Sequence, residues 1–153
     1  MNIPELKEAL DLKFLDEIVS WAEKNPQRVY LEVKPAALRE VAGEVFHQMG
    51  ARFAIASAVQ TLEGFQILYH FSFDGTGVIL SLRVRLGKEN PEVDSISDLV
   101  PAANWIEREM GELFGITFKG RPDLQRLLLD EEWPEGVYPL RKDYGKEGNR
   151  IKE

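Results

Sequence analysis

Three apolar runs separated by two turn signals constrain the fold of this chain more than any other feature. The runs are rich in Phe, Ile, Val and Leu and cover residues 52–60, 65–73 and 78–86. Glu63-Gly64 lies between the first two runs, and Asp74-Gly75-Thr76-Gly77 lies between the last two. Because Gly-containing turns of this kind close β-hairpins, we predict an antiparallel meander with helices covering one face.

Alternation in the last run separates its charged residues from its apolar ones. Arg83 and Arg85 alternate with Leu82, Val84 and Leu86. Successive side chains of a strand point to opposite faces of the sheet. We therefore predict that the two arginines lie on the solvated face of the meander.

The apolar residues of the first fifty positions follow patterns that predict the helices covering the sheet and one further strand. Apolar residues recur every four positions from Leu6 to Ala22, which predicts an amphipathic helix that ends at Asn25-Pro26. Residues 29–33 alternate as a strand does. Pro35 is placed to begin a second helix, which Gly50 ends.

A third helix is predicted after the meander, and little regular structure is predicted beyond it. Pro101 begins this helix and Gly115 ends it. Its apolar stripe consists of Ala102, Ile106, Met110 and Leu113. Residues 116–119 predict a short strand, and the chain beyond Trp133-Pro134 is predicted to be irregular.

These elements together predict an α+β fold. It is a two-layer sandwich of a mainly antiparallel sheet with helices on one face, followed by an extended irregular C-terminal tail. The size of the chain, 153 residues of which 44% are hydrophobic, suits one compact domain. We assign residues 1–120 to this core domain and residues 121–153 to a C-terminal docking segment.

The charged residues of the third helix occupy distinct sides of it. Glu107 and Glu109 fall at opposite edges of the apolar stripe, whereas Arg108 and Glu112 lie on the far side as an exposed pair four residues apart. The two edge glutamates could form an acid/base pair, serve as ordinary helix-border residues, or pair with arginines of another subunit. No nucleophile or metal ligand accompanies them, which favours the last alternative over catalysis.

Composition excludes several classes of function. A net charge of −7 argues against a nucleic-acid-binding protein, which needs clustered Lys and Arg. Zero cysteines exclude disulfides and cysteine-ligated iron-sulfur clusters, and His47 and His70 are too far apart for a familiar metal-binding spacing. No run is long enough to cross a bilayer and the N-terminus lacks a signal-peptide pattern, so we expect a soluble cytoplasmic protein.

The last thirty-odd residues combine turn signals with large aromatic residues. Gly120-Arg121-Pro122-Asp123 predicts a turn in which Asp123 caps the residues that follow. Trp133-Pro134 and Tyr138-Pro139-Leu140 place aromatic rings where there is little regular structure to bury them. Such a segment either lies as a strap across another protein or packs back on its own domain.

Three motifs occur in a fixed order between residues 107 and 144. They are Glu107-Arg108-Glu109 with Phe114-Gly115, then Pro122-Asp123-Leu124, then Pro139-Leu140-Arg141-Lys142-Asp143-Tyr144. Together they resemble the signature region of the NADH-quinone oxidoreductase 30 kDa subunit family, which serves respiratory complex I and related membrane-bound nickel-iron hydrogenases. Complex I members usually have Gly-His before both Pro-containing motifs, whereas Gly136-Val137-Tyr138-Pro139 is more similar to the energy-converting hydrogenase branch and its sulfur-reducing relatives.

This resemblance implies a cofactor-free hydrophilic subunit on the cytoplasmic side of the cell membrane. It would dock on the large hydrogenase-like, 49 kDa-type subunit beside the iron-sulfur subunits of the peripheral arm, and reach the membrane-arm subunits through the complex. Iron-sulfur clusters, and nickel-iron in the hydrogenase branch, would belong to partner subunits, as would electron transfer coupled to ion translocation. The partner-binding residues would be Glu107, Arg108, Glu109, Arg121, Asp123, Arg141, Lys142 and Asp143. The alternatives are a stand-alone adaptor and a hydrolase that uses a carboxylate such as Glu109, which would need a pocket.

Overall fold

The computed structural model describes residues 1–121 and 125–146. The helices and strands are α1 (Ile3–Phe14), β1 (Ile18–Asn25), β2 (Arg28–Val33), α2 (Leu38–Gly43), β3 (Arg52–Gln60), β4 (Gly64–Phe73), β5 (Val78–Gly87), β6 (Glu92–Asp94), α3 (Asn104–Phe114) and β7 (Thr117–Lys119). Short 3-10 turns precede α2 and α3, and one π-helical turn extends α2. This arrangement confirms the predicted α+β class.

Five strands form one mixed sheet in the order β1-β2-β5-β4-β3. The pairs β1–β2, β3–β4 and β4–β5 are antiparallel, whereas β2 and β5 are parallel. β3, β4 and β5 are the three predicted runs, so the meander is confirmed. β6 and β7 form a separate parallel pair, and β7 confirms the short strand predicted after Gly115.

The first predicted helix is wrong beyond Phe14. α1 begins with a capping box, in which Asn2 Oδ1 accepts a hydrogen bond from the Glu5 amide and Glu5 accepts one from the Asn2 amide. Ile18–Asn25 is strand β1 and pairs with β2 through a hairpin at residues 26–27. Ile18, Val19 and Trp21 have the β-branched and aromatic side chains that strands favour, and pairing with β2 overrides the helical period.

One hydrophobic core joins the helices to alternate residues of the sheet. Strand β4 contributes every second residue to this core, namely Phe65, Ile67, Tyr69, Phe71 and Phe73. Leu6 and Leu10 of α1 belong to the same core, as do Leu38 and Val41 of α2 and Met110 of α3. None of the helices in the described ranges has the length and apolar character needed to span a bilayer.

Candidate partner-docking site

The carboxylate of Glu107 lies at the centre of a buried hydrogen-bond network. Glu107 is fully buried, although its sequence position predicts the edge of the apolar stripe. The Ile96 amide donates to Glu107 Oε1 over 2.9 Å, and the Tyr69 hydroxyl donates to the same oxygen over 3.1 Å. The Ser95 hydroxyl donates to Glu107 Oε2. The network ties α3 to β4 and to the segment after β6.

Burial decides how Glu107 and Tyr69 titrate. Loss of water raises the pKa of Glu107 above 4.5, and the hydrogen bonds from Ser95, Ile96 and Tyr69, with the charge of Arg121, oppose this rise without cancelling it. Burial and the neighbouring Glu107 carboxylate raise the pKa of Tyr69 well above 10. Tyr69 therefore stays protonated and serves as a hydrogen-bond donor.

Arg121 is the cation nearest to this carboxylate. Its Nη1 atom lies 4.0 Å from Glu107 Oε2, and its Nη2 atom donates to Asn104 Oδ1 over 2.5 Å. The Arg121 side chain is only 4% exposed, so it belongs to the interior of the domain. Glu107 thus approaches an arginine of its own chain. Asp123, another predicted site residue, lies outside the described residues.

Arg108 and Glu112 bind the main chain of the segment that follows the domain. Arg108 Nε and Nη2 donate to the carbonyl oxygens of Gln125 and Arg126, each over 3.0 Å. Glu112 accepts hydrogen bonds from the amides of Leu127 and Leu128, over 3.0 and 2.6 Å. The prediction of an ordinary exposed pair is therefore wrong, because both side chains are half-buried and hold residues 125–128 against α3.

Arg141 holds the distal part of the same segment. Its Nε atom donates to the Phe114 carbonyl oxygen over 2.7 Å, and its guanidinium carbon lies 5.2 Å from the Phe65 ring centre and 4.5 Å from that of Tyr138. Such stacking of a guanidinium between aromatic rings is favourable. Phe114 ends α3, so Arg141 fastens the segment to the C-terminus of that helix.

Gly115 makes this packing possible. It ends α3 with a φ of +73°, a left-handed conformation that glycine adopts without strain. A Cβ atom at this position would lie 2.5 Å from the Tyr138 ring and 2.6 Å from Arg141 Nη2. The Phe114-Gly115 pair that ends the first motif is thus in close contact with the region of the third motif.

The remaining predicted site residues lie at the surface or near it. Lys142 and Asp143 are exposed, and the Lys142 amide donates to Gln60 Oε1 over 2.6 Å. Glu109 is half-buried on α3. The large apolar side chains exposed in this region are Trp105, Leu128, Leu140 and Tyr144. Residues 125–146, which we call the C-terminal segment, therefore pack back on the domain and also present charged and aromatic groups outward.

A cleft of about 450 Å³ is lined by residues of α3, β7 and the C-terminal segment. Its lining includes Glu107, Arg108, Arg121, Phe118 and Tyr138, whereas Glu109 is not among the lining residues. Within residues 1–121 and 125–146, no group of three or more His, Asp or Glu side chains is placed to hold a metal ion.

Sequence comparison relates the chain to respiratory enzymes. A family model described as "Respiratory-chain NADH dehydrogenase, 30 Kd subunit" matches residues 31–150. The C-type subunit of NADH-quinone oxidoreductase from Ruegeria pomeroyi is 34% identical over 150 residues, which cover 94% of this chain and 73% of that protein. Formate hydrogenlyase subunit 5 of Escherichia coli is 32% identical over 139 residues, covering 88% of this chain and 24% of that protein.

A third relative has a composite name that joins the C and D subunits of NADH-quinone oxidoreductase. This protein, from Gluconacetobacter diazotrophicus, is 48% identical over 81 residues, covering 52% of this chain and 13% of that protein. The chain therefore spans a quarter or less of the last two relatives. Among solved structures, the membrane-bound sulfane sulfur reductase, an archaeal respiratory membrane complex, contains a polypeptide with the same fold, with a TM-score of 0.79 and 19% identity over 94% of this chain and 85% of that one.

Proposed function

Because the chain belongs to the family of the respiratory-chain NADH dehydrogenase 30 Kd subunit, we propose that it is a cofactor-free hydrophilic subunit of a membrane-bound respiratory oxidoreductase complex. The family match over residues 31–150 carries this proposal. The chain would lie in the peripheral arm, on the cytoplasmic side of the membrane. Partner subunits would hold the iron-sulfur clusters and carry out the redox chemistry.

The proposed partner is the large, 49 kDa-type subunit. Support comes from the Gluconacetobacter relative, whose name joins the C and D subunits in one protein. Further support comes from the surface of α3 and the C-terminal segment, where Trp105 is 70% exposed and Leu140 and Tyr144 are exposed beside Lys142 and Asp143. Aromatic and charged side chains of this kind are common at protein interfaces.

Within the family, we favour the hydrogenase-type branch over the complex I-type branch. Relatives of both branches align with most of the chain, 94% for the Ruegeria protein and 88% for formate hydrogenlyase subunit 5, so the preference rests on the Gly136-Val137-Tyr138-Pro139 motif, which is similar to the hydrogenase form. In either branch the role is to fix the large subunit relative to the iron-sulfur chain, so that electron transfer supports ion translocation elsewhere in the complex.

Affinity purification from membranes tests this proposal. A C-terminally tagged chain, extracted from the source cell in mild detergent, is expected to bring down a large hydrogenase-like subunit together with integral membrane proteins identified by mass spectrometry. Nickel-ligating cysteines in that large subunit would select the hydrogenase branch. A monodisperse 17.5 kDa protein without companions would contradict the proposal.

Charge reversal of Lys142 tests the docking role of the C-terminal segment. Lys142→Glu is expected to reduce recovery of the large subunit about fivefold, since a charge pair at an interface rim contributes about 1 kcal/mol. Its thermal unfolding should match that of the wild type, because the Lys142 side chain is exposed. Lys88→Glu, an exposed reversal in the loop after β5, is the control and should assemble fully.

Arg141→Glu is expected to weaken assembly by a second route. Its guanidinium is bonded to Phe114 and stacked on two rings, so the variant should also unfold at lower temperature. Any complex that still assembles should retain every redox centre. Full assembly combined with lost turnover would contradict the docking role of this residue.

A further inference from the structure

One face of the five-stranded sheet lies opposite the hydrophobic core, and we call it the outer face. Strand register places its side chains in rows across β2, β5, β4 and β3. The residues are Arg28, Tyr30 and Glu32 of β2, Ile79, Ser81, Arg83 and Arg85 of β5, Gln66, Leu68, His70 and Ser72 of β4, and Ile55, Ser57 and Val59 of β3. None of them belongs to the hydrophobic core cluster that the helices join.

The outer face carries a positive charge although the chain as a whole is acidic. Arg28, Arg83 and Arg85 are balanced only by Glu32, while the net charge of the chain is −7. Arg52 and Asp74 at its margin bond to each other over 2.8 Å and add no net charge. The surplus of arginine over glutamate makes this surface electrostatically unlike the rest of the molecule.

One hydrogen-bond donor of this arginine cluster has no acceptor within residues 1–121 and 125–146, although Glu32 pairs with two of the arginines. Its two carboxylate oxygens each lie 2.9 Å from an arginine nitrogen, one from Arg83 Nη2 and one from Arg85 Nε. Arg83 Nε is buried and has no hydrogen-bond partner among the described residues. A buried N–H donor without an acceptor is unfavourable, so an additional acceptor near this cluster would be stabilising.

His70 adds no charge to the outer face at neutral pH. Its Nδ1 atom lies 2.8 Å from the Ser81 hydroxyl. Burial lowers the pKa of His70, and the positive charge of Arg28 lowers it further. The positive potential of the outer face at neutral pH therefore comes from the arginines.

Apolar side chains occupy the edge strand of the same face, separated by strand β4 from the arginines of β5. Ile55 is 52% exposed and Val59 is 46% exposed, both on edge strand β3. In the register, Ile55 is opposite His70, and Val59 is opposite Gln66, which is in turn opposite Arg85. Exposed branched apolar residues on the same face as arginines are typical of a protein interface and do not form the purely basic surface that binds a nucleic-acid backbone.

We propose that the outer face docks an acidic protein surface of a second partner subunit, whose carboxylates meet Arg28, Arg83 and Arg85 and whose apolar side chains cover Ile55 and Val59. The inference relies on the proposed function only in that it requires an assembled complex. The outer face lies across the sheet from the layer of α3, so it would bind a different partner from the one assigned to the C-terminal segment.

Site-specific photocross-linking tests this inference in the intact complex. p-Benzoylphenylalanine is introduced at Val59 of the tagged chain, and at Leu12 of α1, which is 86% exposed, as the control position. After irradiation of the detergent-purified complex, the Val59 position is expected to cross-link to a peptide of another subunit in which Asp and Glu outnumber Lys and Arg. The Leu12 position is expected not to capture that peptide.

Charge reversal supplies the second arm of the experiment. Adding Arg28→Glu and Arg85→Glu should lower the Val59 cross-link about tenfold, measured per assembled complex because the Arg85 reversal also removes its ion pair with Glu32. Arg28→Glu alone should lower the yield less and leave circular dichroism melting unchanged, because Arg28 is exposed. Arg28→Gln with Arg85→Gln should give an intermediate yield. An assembled complex with no Val59 cross-link, with a cross-linked peptide lacking an acidic excess, or with a yield unaffected by reversal would overturn this inference alone. Absence of any complex would overturn the proposed function and this inference together.

Discussion

Glu107 places an ionisable carboxyl group in the interior of the domain. Burying a charged carboxylate there is unfavourable in free energy unless hydrogen-bond donors surround it. Three hydrogen-bond donors and the nearby Arg121 provide that environment. The glutamate therefore serves this fold as an organising residue that joins α3, β4 and the segment after β6. We expect it to act on partner binding indirectly, by setting the position of α3.

Removal of the Glu107 carboxylate is expected to destabilise the domain strongly. Glu107→Ala would leave the Tyr69 hydroxyl, the Ser95 hydroxyl and the Ile96 amide without this acceptor and would remove the carboxylate beside Arg121, which should lower the free energy of unfolding by about 3 kcal/mol. Glu109→Ala on the same helix is the matched control and should cost about 0.5 kcal/mol. Urea unfolding of the purified chains measures both values. Equal effects would show that the buried network contributes nothing special.

The raised pKa of Glu107 predicts a pH dependence of known sign. The folded state binds this proton more tightly than the unfolded state does, so the stability from protonated Glu107 is fully present below about pH 4.5 and is lost as pH rises through the folded pKa. As pH rises above about 4.5, the free energy of unfolding of the wild type should fall relative to that of Glu107→Gln, as measured by urea unfolding at each pH. A difference that stays constant, or grows in favour of the wild type, would contradict the assignment.

The sequence predicted which α3 residues border the apolar stripe but not which border is buried. A helical period places Glu107 and Glu109 symmetrically, and only the donors of Tyr69 and Ser95 distinguish them. Those donors come from 38 and 12 residues away, beyond any local pattern. The partners of Arg108 and Glu112 were missed for the same reason, because they are main-chain groups of the C-terminal segment, and main-chain groups have no sequence signature.

At the scale of elements, the end of α3 and the C-terminal segment form one junction. Gly115 adopts a left-handed backbone conformation, and Arg141 donates a hydrogen bond to the carbonyl oxygen of Phe114, the last residue of the helix. The Tyr138 ring packs over the glycine. The first and third motifs, which are separate in the sequence, are thus in direct contact in the structure.

Gly115→Ala tests this junction. A left-handed alanine costs roughly 1 kcal/mol, and the new Cβ atom would also displace Tyr138 and Arg141. Gly50→Ala is the matched control, since Gly50 has a φ of +67° and open space around it. We expect Gly115→Ala to lower the free energy of unfolding by at least about 1 kcal/mol more than Gly50→Ala, and to accelerate trypsin cleavage at Arg141 and Lys142. Equal loss and equal cleavage in both variants would contradict the junction.

The elements themselves show what local patterns can and cannot predict. The meander followed from alternation and Gly-containing turns, both of which act over a few residues. The predicted N-terminal helix extends too far because Ile18 and Ala22 continue the period of α1, while the competing hairpin at residues 26–27 depends on pairing between β1 and β2. Parallel pairing of β2 with β5 has no local signal at all.

At the scale of the whole molecule, the sequence predicts a boundary between core domain and docking segment after residue 120. The position of Arg121 suggests that this boundary lies one residue later. Its side chain lies inside the domain beside Glu107 and Asn104. We therefore expect the folded unit to include Arg121, with the docking segment beginning after it.

Two truncated chains test this boundary. A chain ending after Arg121 and one ending after Gly120 should both fold, since the strands and helices all precede that point among the described residues. The longer chain should be more stable by about 2 kcal/mol, because it keeps the cation beside buried Glu107. Thermal and urea unfolding with circular dichroism compare them. Identical stability would place Arg121 outside the folded unit.

The parallel pairing of β2 with β5 has a consequence for the order in which the chain acquires its structure during synthesis. Each residue of β2 from Arg28 to Glu32 pairs with one that emerges from the ribosome 51 positions later. The N-terminal hairpin of β1 and β2 must therefore wait, with an unpaired edge, until the meander has been made. Translation speed between β2 and β5 then sets how long that edge is open to other nascent chains.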